Sequence, residues 1–446
     1  MVKKVDTALV KLWGEIIGAV SWLDDRGYSI FEYDRDFLKK GLDVSPLHMS
    51  LDDARKGDSK FSFAALNKET FLGLPGLLAD ALPDKFGNRI IDAWLARSGR
   101  DKSGFSPIER LCYTGKRGMG ALEFSPAILS KHDTAVSVEI SELVNLVQEV
   151  MSQTETLDVQ LNASGLNETD TNNSEQSNAD AVFDILRVGT SAGGARAKAV
   201  IAMDEKGNVK SGQAEAPRGY DYWILKFDGV SDLELGKPND YGRIEYAYYL
   251  MAKAAGINMT ECKLLQENGR AHFMTKRFDR VKGKKLHMQS LCGIAHYDFN
   301  LAGEYSYEQA FSVMRKLRLS KAEAAEQYRR MLFNIVARNL DDHTKNISFL
   351  MDESGQWLLS PAYDITYAHN PAGKWTNQHQ MSANGKRDNF SREDLIQIGE
   401  SISLTKPEVI INEVVTAVDN WHDYAKSADV NKKALNDISK HHRMSL

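Results

Sequence analysis

Residues 339–366 have the sequence NLDDHTKNISFLMDESGQWLLSPAYDIT, in which a polar loop precedes two short apolar runs. The runs predict strands at Ile347–Met351 and Gln356–Ser360, joined by the turn-forming residues between them. If these strands pair as a hairpin, their outer ends meet. Asn346 directly precedes the first strand and Asp364 follows the second, so we expect the hairpin to bring these side chains together.

The polar residues around this hairpin are those that phosphoryl transfer requires. One carboxylate must orient the attacking hydroxyl, and oxygen atoms of an Asn and a second Asp must hold Mg²⁺ on the phosphates. The five-residue offset from Asp341 to Asn346 matches the catalytic loop of protein kinases, and Asp364 stands where that fold keeps its metal-binding Asp. Unlike those kinases, the chain has no H-R-D before the loop and no D-F-G after it, and His343 follows the Asp. The alternative is a polar surface hairpin, because Asp and Asn are common turn formers.

Residues 221–229, DYWILKFDG, place a lysine in an otherwise apolar predicted strand. A lysine on a strand that is covered on both faces needs an anion beside it. Glu245, near the start of the next predicted helix, is a candidate partner for Lys226. In kinases, a strand Lys paired with a helix Glu holds the α- and β-phosphates. The alternative is a lysine at a sheet edge whose ammonium group reaches water.

Residues 189–200, GTSAGGARAKAV, form a glycine-rich segment between predicted strands. Backbone N–H groups of such a segment, including those of Gly193 and Gly194, can turn toward a phosphate. The segment matches neither of the common glycine-rich nucleotide motifs, so the alternative is an ordinary glycine-rich turn. The hydroxyls of Thr190 and Ser191 could themselves accept a phosphate.

The first part of the chain mixes strands and helices. Tyr28–Tyr33 predicts a strand, and helix signals follow near Ile90–Arg97. Residues 137–151 predict an amphipathic helix, because their apolar residues recur on one face. Residues 162–180 contain almost no large apolar residue, so we expect a flexible loop that cannot bury enough surface to offset its ordering entropy.

Residues 184–278 predict strands with one helix, at Ile244–Ala255. Asn268-Gly269, between two apolar runs, predicts a tight hairpin. From about residue 280 the pattern is mainly helical, and Ser320-Lys-Ala-Glu323 is a capping box that begins one of these helices. The predicted class is therefore α+β, with a helical back half.

The charge pattern argues against a general polyanion binder, since the net charge is −5. The basic clusters Lys282–Lys285 and Lys440–Arg443 are interpreted as solvated charge, and RFDR at 277–280 as a hinge between lobes. The three cysteines are odd in number and widely spaced, which argues against a disulfide framework or a zinc site. The same cysteine pattern predicts a reducing cytoplasm as the location. Because Lys11 and Glu15 interrupt the N-terminal apolar stretch and no apolar run is long enough to span a bilayer, we expect a protein that is neither secreted nor embedded.

In this order, the motifs resemble the HipA family of bacterial toxin kinases. The matching stretches cover most of the chain and are GLPGLLADALPDKFGNRII (73–91), TSAGGARAKAVI (190–201), YWILKF (222–227), IEYAYYLMAKAAGI (244–257), KRFDR (276–280), RNLDDHTKNISFL (338–350) and SPAYDIT (360–366).

The resemblance implies a bilobal protein-kinase-like fold with an added N-terminal α/β subdomain. That subdomain would occupy 1–130, the kinase N-lobe core 131–276 with the loop at about 162–180, and the mainly helical C-lobe 277–446. ATP and Mg²⁺ are the implied cofactors, and the implied activity is Ser/Thr protein phosphorylation.

By the same resemblance, Asp341 is the catalytic residue. The family's loop often has a small residue after this Asp, whereas Asp342 follows here, so Asp342 is a second candidate for the base; the offset to Asn346 favours Asp341. Ser191 resembles the family's autophosphorylated serine, whose modification pushes the loop out of the ATP site and switches the kinase off. The implied metal ligands are Asn346 and Asp364, and the implied nucleotide-binding residues are Lys226, Glu245, Gly193, Gly194, Lys276 and Phe278, the last two at the adenine site.

The family also implies partners. These are a HipB-like helix-turn-helix antitoxin, operator DNA contacted mainly through that antitoxin, and a protein substrate such as an aminoacyl-tRNA synthetase. Two other functions stay open: a small-molecule kinase on the same scaffold, and a catalytically silent scaffold for a DNA-binding antitoxin. The intact set of Lys226, Asp341, Asn346 and Asp364 argues against the silent scaffold.

Overall fold

The computed structural model describes residues 4–57, 59–97, 104–128, 137, 139–145, 147–148, 196–212, 215–229 and 240–446. The predicted loop at 162–180 and the residues Ser191, Gly193 and Gly194 lie outside these ranges. Within the described ranges, no helix combines the length and the apolar character needed to cross a bilayer.

The first part of the chain is an antiparallel sheet with helices packed against it. The strand predicted at Tyr28–Tyr33 is present, and the predicted helix near Ile90–Arg97 is the later part of a longer one. Alternation along the first strand buries Ala8, Val10 and Leu12 on one face. The strands are β1 (Thr7–Leu12), β2 (Glu15–Leu23), β3 (Tyr28–Tyr33), β4 (Lys60–Phe61) and β5 (Leu122–Ser125), in the order β4–β3–β2–β1–β5, and the helices are α1 (Arg35–Leu38), α2 (Leu51–Arg55), α3 (Lys68–Phe71), α4 (Gly76–Ala79), α5 (Lys85–Arg97) and α6 (Pro107–Thr114).

A second antiparallel sheet follows, together with a helix that packs on it. Its elements are β6 (Lys198–Asp204), β7 (Val209–Ser211), β8 (Tyr220–Lys226), α7 (Tyr241–Ala254), β9 (Cys262–Glu267) and β10 (Arg270–Lys276), with the strand order β7–β6–β8–β10–β9. The hairpin predicted at Asn268-Gly269 joins β9 to β10, and both turn residues have the positive φ that a two-residue hairpin loop requires. Strand β8 has neighbours on both sides, so the sheet-edge alternative for Lys226 is wrong.

Only part of the helix predicted at 137–151 falls within the described ranges. Residues 140–145 and 147–148 are helical there. Leu143, Val144 and Val147 are buried, as the apolar periodicity predicts.

The last part of the chain is mainly helical, as predicted. The capping box at Ser320 is present, and Tyr328, Met331 and Leu332 bury the inner face of the helix that it begins. A small sheet in the order β13–β14–β15 lies among the helices. The elements are β11 (Arg280–Val281), β12 (Lys284–Lys285), β13 (His287–Ser290), α8 (Leu291–Ala295), α9 (Tyr307–Lys316), α10 (Lys321–Val336), β14 (Ser348–Met351), β15 (Trp357–Leu359), α11 (Arg392–Ser401), α12 (Pro407–Asp419), α13 (Trp421–Ser427) and α14 (Lys432–His441).

The RFDR segment between the second sheet and the helices is a buried ion-pair cluster. The Asp279 carboxylate is fully buried and accepts hydrogen bonds from Arg277 and Arg280. Both arginines also donate to the carbonyl of Gly118, and Asp279 accepts from the backbone N–H of Gly120. Since buried charges are tolerated only when paired, these bonds fix the junction of the two sheets and the helices to the 118–120 loop.

The interpretation of the basic clusters as solvated charge is wrong for part of each cluster. Lys285 lies 2.8 Å from the Glu123 carboxylate on β5. Near the C-terminus, His442 is buried with its Nε2 3.1 Å from the Tyr248 hydroxyl, and Arg443 forms an ion pair with Asp388. These side chains contribute to packing between elements, which charge spacing along the sequence does not indicate.

Candidate functional site

The hairpin predicted after the polar loop is present, with β14 antiparallel to β15. At its open end, the Ser360 N–H donates to the Ser348 carbonyl at 2.9 Å, so the chain after β15 returns past the loop before β14. A parallel bridge between Asn339 and Ala368 continues this arrangement. The hairpin thereby gathers the three polar residues that the sequence singled out: Asp341, Asn346 and Asp364.

Asp364 has a left-handed backbone conformation, with φ of 52°. A non-glycine residue rarely adopts this conformation, and it persists only where the surrounding structure fixes it. Its carboxylate forms an ion pair with Lys226, which is on strand β8 of the second sheet. The strained turn therefore directs the Asp364 side chain toward the strand that carries the lysine.

Lys226 lies between two carboxylates. Its Nζ is 2.5 Å from Oε1 of Glu245 on α7, the partner predicted from the sequence, and it also contacts Asp364. Burial disfavours the charged ammonium group, but the charges of Asp364 and Glu245 outweigh it, so the pKa of Lys226 is raised. Burial likewise opposes ionisation of Asp364, but Lys226 and Lys198 outweigh it and lower its pKa. Lys226 and Asp364 are therefore placed to be charged near neutral pH.

Asp341 and Asp342, the two candidates for the base, have different surroundings. The Asp342 carboxylate is fully buried, and its oxygens accept from the Tyr307 hydroxyl at 2.7 Å, His379 Nδ1 at 2.8 Å and the Gln380 N–H at 2.8 Å. About half of the Asp341 side chain is exposed. Because Asp342 has its acceptor capacity committed inside the protein, Asp341 is the more accessible of the two candidate carboxylates.

The neighbours of Asp341 contact its carboxylate and its backbone carbonyl and change its pKa. His343 Nε2 lies 3.8 Å from its carboxylate, and the Asn346 side-chain N–H donates to its backbone carbonyl at 2.8 Å. Desolvation by the surrounding protein raises the pKa of Asp341, His343 opposes this effect, and the negative charges of Asp364 and Asp342 add to it. A raised pKa makes a carboxylate a better proton acceptor than an ordinary surface Asp.

The donor atoms at this end of the hairpin fit a hard cation such as Mg²⁺. Asn346 uses its amide nitrogen in the bond to Asp341, so its amide oxygen is the atom that can coordinate a metal. Asp364 supplies a carboxylate of lowered pKa. Carboxylate and amide oxygens, completed by phosphate oxygens and water, are the ligands that Mg²⁺ prefers.

The two residues expected at the adenine site are Lys276, the last residue of β10, and Phe278, two residues later, where the second sheet meets the helices. Phe278 packs against Tyr363, the residue directly before Asp364, with the two ring centroids 5.7 Å apart. Lys276 forms an exposed ion pair with Asp221 at 2.6 Å. Phe278 is thus close to the hairpin end, whereas Lys276 has an acidic partner of its own.

The sequence analysis missed Lys198. It lies directly opposite Lys226 in the ladder between β6 and β8, is 3% exposed, and pairs with Asp84 at 3.1 Å. The available signal was the one that identified Lys226: a lysine inside an apolar strand, here KAVIAMD. Arg196, two residues earlier, stacks over the Tyr241 ring with 3.9 Å from its guanidinium carbon to the ring centroid.

Comparison with known proteins finds two matching family models and several distant relatives. The family model described as the HipA-like C-terminal domain matches residues 190–422, more than half of the chain, and that of the HipA N-terminal domain matches 8–125. The protein described as "Putative kinase Y4dM" of Sinorhizobium fredii is 24% identical over an alignment of 262 residues, and the match covers 53% of this chain and 60% of that protein. A "Putative kinase" of Haemophilus influenzae is 24% identical over an alignment of 208 residues, and the match covers 39% of this chain and 59% of that protein. In both comparisons the chain spans less than two thirds of the length of the curated relative.

Among solved structures, the fold is similar to that of a chain in the complex of Shewanella oneidensis HipA, HipB and operator DNA. The TM-score is 0.65 at 17% sequence identity, over 97% of this chain and 94% of that one. This likeness confirms the predicted α+β, kinase-like fold. Together with the two family models, which match both the N-terminal and the C-terminal regions, it shows that this chain belongs to the HipA family.

Proposed function

We propose that this protein is an ATP- and Mg²⁺-dependent kinase that phosphorylates Ser or Thr hydroxyls of a protein. The observation that carries the proposal is the position of Lys226 between Glu245 and Asp364, at the end of the hairpin that also bears Asp341 and Asn346. A strand lysine, a helix glutamate and a metal-type aspartate in mutual contact are what a kinase uses to hold a triphosphate.

The proposed roles follow from the surroundings of each residue. Asp341, partly exposed and with a raised pKa, orients the substrate hydroxyl and accepts its proton. Lys226 binds phosphate oxygens, and its ion pair with Glu245 orients the ammonium group. Asn346 and Asp364 would hold Mg²⁺, and the ion would supply positive charge next to the phosphates. The glycine-rich segment with Gly193 and Gly194 is proposed to cover the phosphates, with Phe278 and Lys276 bordering the adenine.

Membership of the HipA family supports a biological setting for this activity. We propose that the protein is the growth-inhibiting toxin of a toxin–antitoxin pair, active in the cytoplasm and neutralised by a HipB-like helix-turn-helix partner that also contacts operator DNA. The complex of a structurally similar chain with HipB and operator DNA supports this partnership. The proposed substrate is a translation protein such as an aminoacyl-tRNA synthetase, and the proposed off-switch is phosphorylation of Ser191.

A small-molecule kinase on the same scaffold is the second candidate, because its catalytic loop could carry the same residues. The distinguishing experiment supplies γ-labelled ATP and Mg²⁺ to the purified protein with a cell lysate. We expect label in a protein band, on Ser or Thr, and none with Asp341→Asn. Label confined to a small-molecule fraction would instead establish the metabolite kinase. If the protein does not bind Mg·ATP at all, it would act only as a scaffold.

A further inference from the structure

The segment from α4 to the start of α5 places the carboxylates of Asp80 and Asp84 against the helical part of the molecule and the second sheet. Asp80 accepts from the backbone N–H of Ser290 at 2.6 Å and from its hydroxyl at 2.8 Å, and Ser290 caps α8. The approach is close enough that a Cβ on Gly293 would lie 2.2 Å from the Asp80 carboxylate. Asp80 therefore fixes this segment to the helical part of the molecule.

Asp84, four residues after Asp80, contacts strand β6 of the second sheet. Its Oδ2 lies 3.1 Å from Nζ of Lys198, and both side chains are almost completely buried, at 6% and 3% exposure. The other oxygen accepts the Gly87 N–H at 2.6 Å, so the rotation of the carboxylate is fixed. The ion pair thus has a defined geometry, with one partner in the N-terminal region and the other on β6.

Lys198 and Lys226 are directly paired residues of adjacent antiparallel strands. Directly opposed residues of such strands project to the same face of the sheet. Lys226 reaches Asp364 from this face, and Lys198 contributes to lowering the pKa of Asp364. Lys198 is therefore oriented toward the same phosphate-binding end of the hairpin.

A buried ion pair of this kind is a poor source of stability, because desolvation of two charges offsets most of their attraction. Two buried ammonium groups on neighbouring strands also repel each other unless carboxylates compensate them. Burial raises the pKa of Asp84, and the charges of Lys198 and Lys345 oppose that rise. The arrangement is better explained by a need for a second, well-directed cation beside Lys226.

We infer that Asp84 is a positioning residue for nucleotide binding: it directs Lys198 beside Lys226, so that both ammonium groups face the triphosphate. This inference rests on the proposed kinase function. Asp84 does not touch the nucleotide in this arrangement and acts only through Lys198. The N-terminal region, through the LPD sequence at 82–84, then becomes part of the phosphate-binding site.

The test is a double-mutant cycle between Asp84→Asn and Lys198→Met, with the full-length protein. The Asn retains an acceptor for the Gly87 N–H but loses the charge. We expect each single variant to weaken Mg·ATP binding by roughly tenfold or more, the scale of one hydrogen bond to a charged group. Affinity for adenosine, which lacks the phosphates, should be unchanged. In the Lys198→Met background, Asp84→Asn should have no further effect.

Asp92→Asn is the matched control, because Asp92 lies on the helix that Asp84 begins and pairs with Arg110 instead. It should bind Mg·ATP like the wild type, and thermal unfolding should show that every variant is folded. Unchanged or tighter Mg·ATP binding by Asp84→Asn, an equal loss of adenosine affinity, or an additive effect in the double variant would overturn the inference.

Failure of the proposed function has a different signature. If the wild type does not bind Mg·ATP, or if Lys226→Ala binds it as tightly as the wild type, the nucleotide site itself is misassigned and the inference falls with it. If Lys226→Ala weakens binding but Asp84→Asn does not, only the role of Asp84 is overturned.

Discussion

Lys226 and Asp364 form a direct ion pair, although 138 residues separate them in the sequence. The pair joins the second sheet to the loop after β15. Both partners are proposed nucleotide-site residues, Lys226 for phosphate and Asp364 for Mg²⁺.

The first prediction concerns the proposed base. Asp341→Asn should reduce phosphoryl transfer by roughly 10²–10⁴-fold while Mg·ATP binding survives, because an amide cannot accept the hydroxyl proton. Transfer rates and nucleotide titrations on the same preparation measure both effects. Near-wild-type turnover would show that Asp341 is not the base, and Asp342 would then be the residue to test.

The second prediction concerns the proposed metal ligands. Asp364→Ala and Asn346→Ala should each weaken Mg·ATP binding as well as turnover, because each removes an oxygen ligand next to the phosphates. Binding should be titrated at several Mg²⁺ concentrations, since loss of a metal ligand is partly relieved by excess metal. If both variants keep the wild-type nucleotide affinity and activity, the metal assignment is wrong.

The third prediction separates Asp342 from catalysis. Asp342→Asn should lower the free energy of unfolding by about 1–3 kcal/mol, because donors from Tyr307 and His379 lose a charged acceptor in the interior. Burial works against the charged carboxylate, but His379, Tyr307 and the Gln380 N–H outweigh it, so the pKa of Asp342 is lowered in the folded state.

The pH dependence of that effect has a definite sign. A carboxylate with a lowered folded pKa stabilises the protein above its unfolded pKa, about 3.9, and this stability is lost as pH falls through the folded value. The stability difference between wild type and Asp342→Asn should stay constant from neutral pH to about 4 and shrink below it. Denaturant unfolding across this range measures it; a stable variant with no turnover would instead point to a catalytic Asp342.

The fourth prediction concerns growth. Expression of the wild type alone should slow growth of the host, and co-expression of a small helix-turn-helix protein encoded next to it should restore growth. Asp341→Asn at the same protein level is the control and should not be toxic. Normal growth with confirmed levels of the wild type would count against a toxin and favour the metabolite kinase.

The fifth prediction is self-phosphorylation at Ser191, a residue outside the described ranges. A phosphate there adds roughly −1.5 to −2 charges, which would repel the triphosphate and lower ATP affinity. Mass spectrometry of wild type after long incubation with ATP and Mg²⁺ should find phosphate at this position, and the Asp341→Asn variant should lack it. The idea fails if peptides spanning Thr190 and Ser191 stay unmodified, or if a Ser191→Asp variant binds ATP normally.

Local patterns in the sequence are enough to predict the secondary structure at the centre of the site. Period-two and period-3.6 patterns with turn residues predicted the hairpin around β14 and β15, the Asn268-Gly269 hairpin and the Ser320 capping box, since each depends on neighbours in the sequence. A lysine in an apolar strand also predicted the need for an anion at Lys226. Residue order across these motifs predicted the family.

Residues that look alike in the sequence are distinguished only by their surroundings in the folded chain. Asp341 and Asp342 are adjacent and identical in type, but contacts from Tyr307 and His379 occupy one carboxylate and leave the other half exposed. The partnership of Lys198 with Asp84 was likewise hidden, because a salt bridge between distant segments leaves no periodic pattern in either segment. Such contacts depend on how the lobes pack against the N-terminal sheet, and this packing is a property of the whole folded chain.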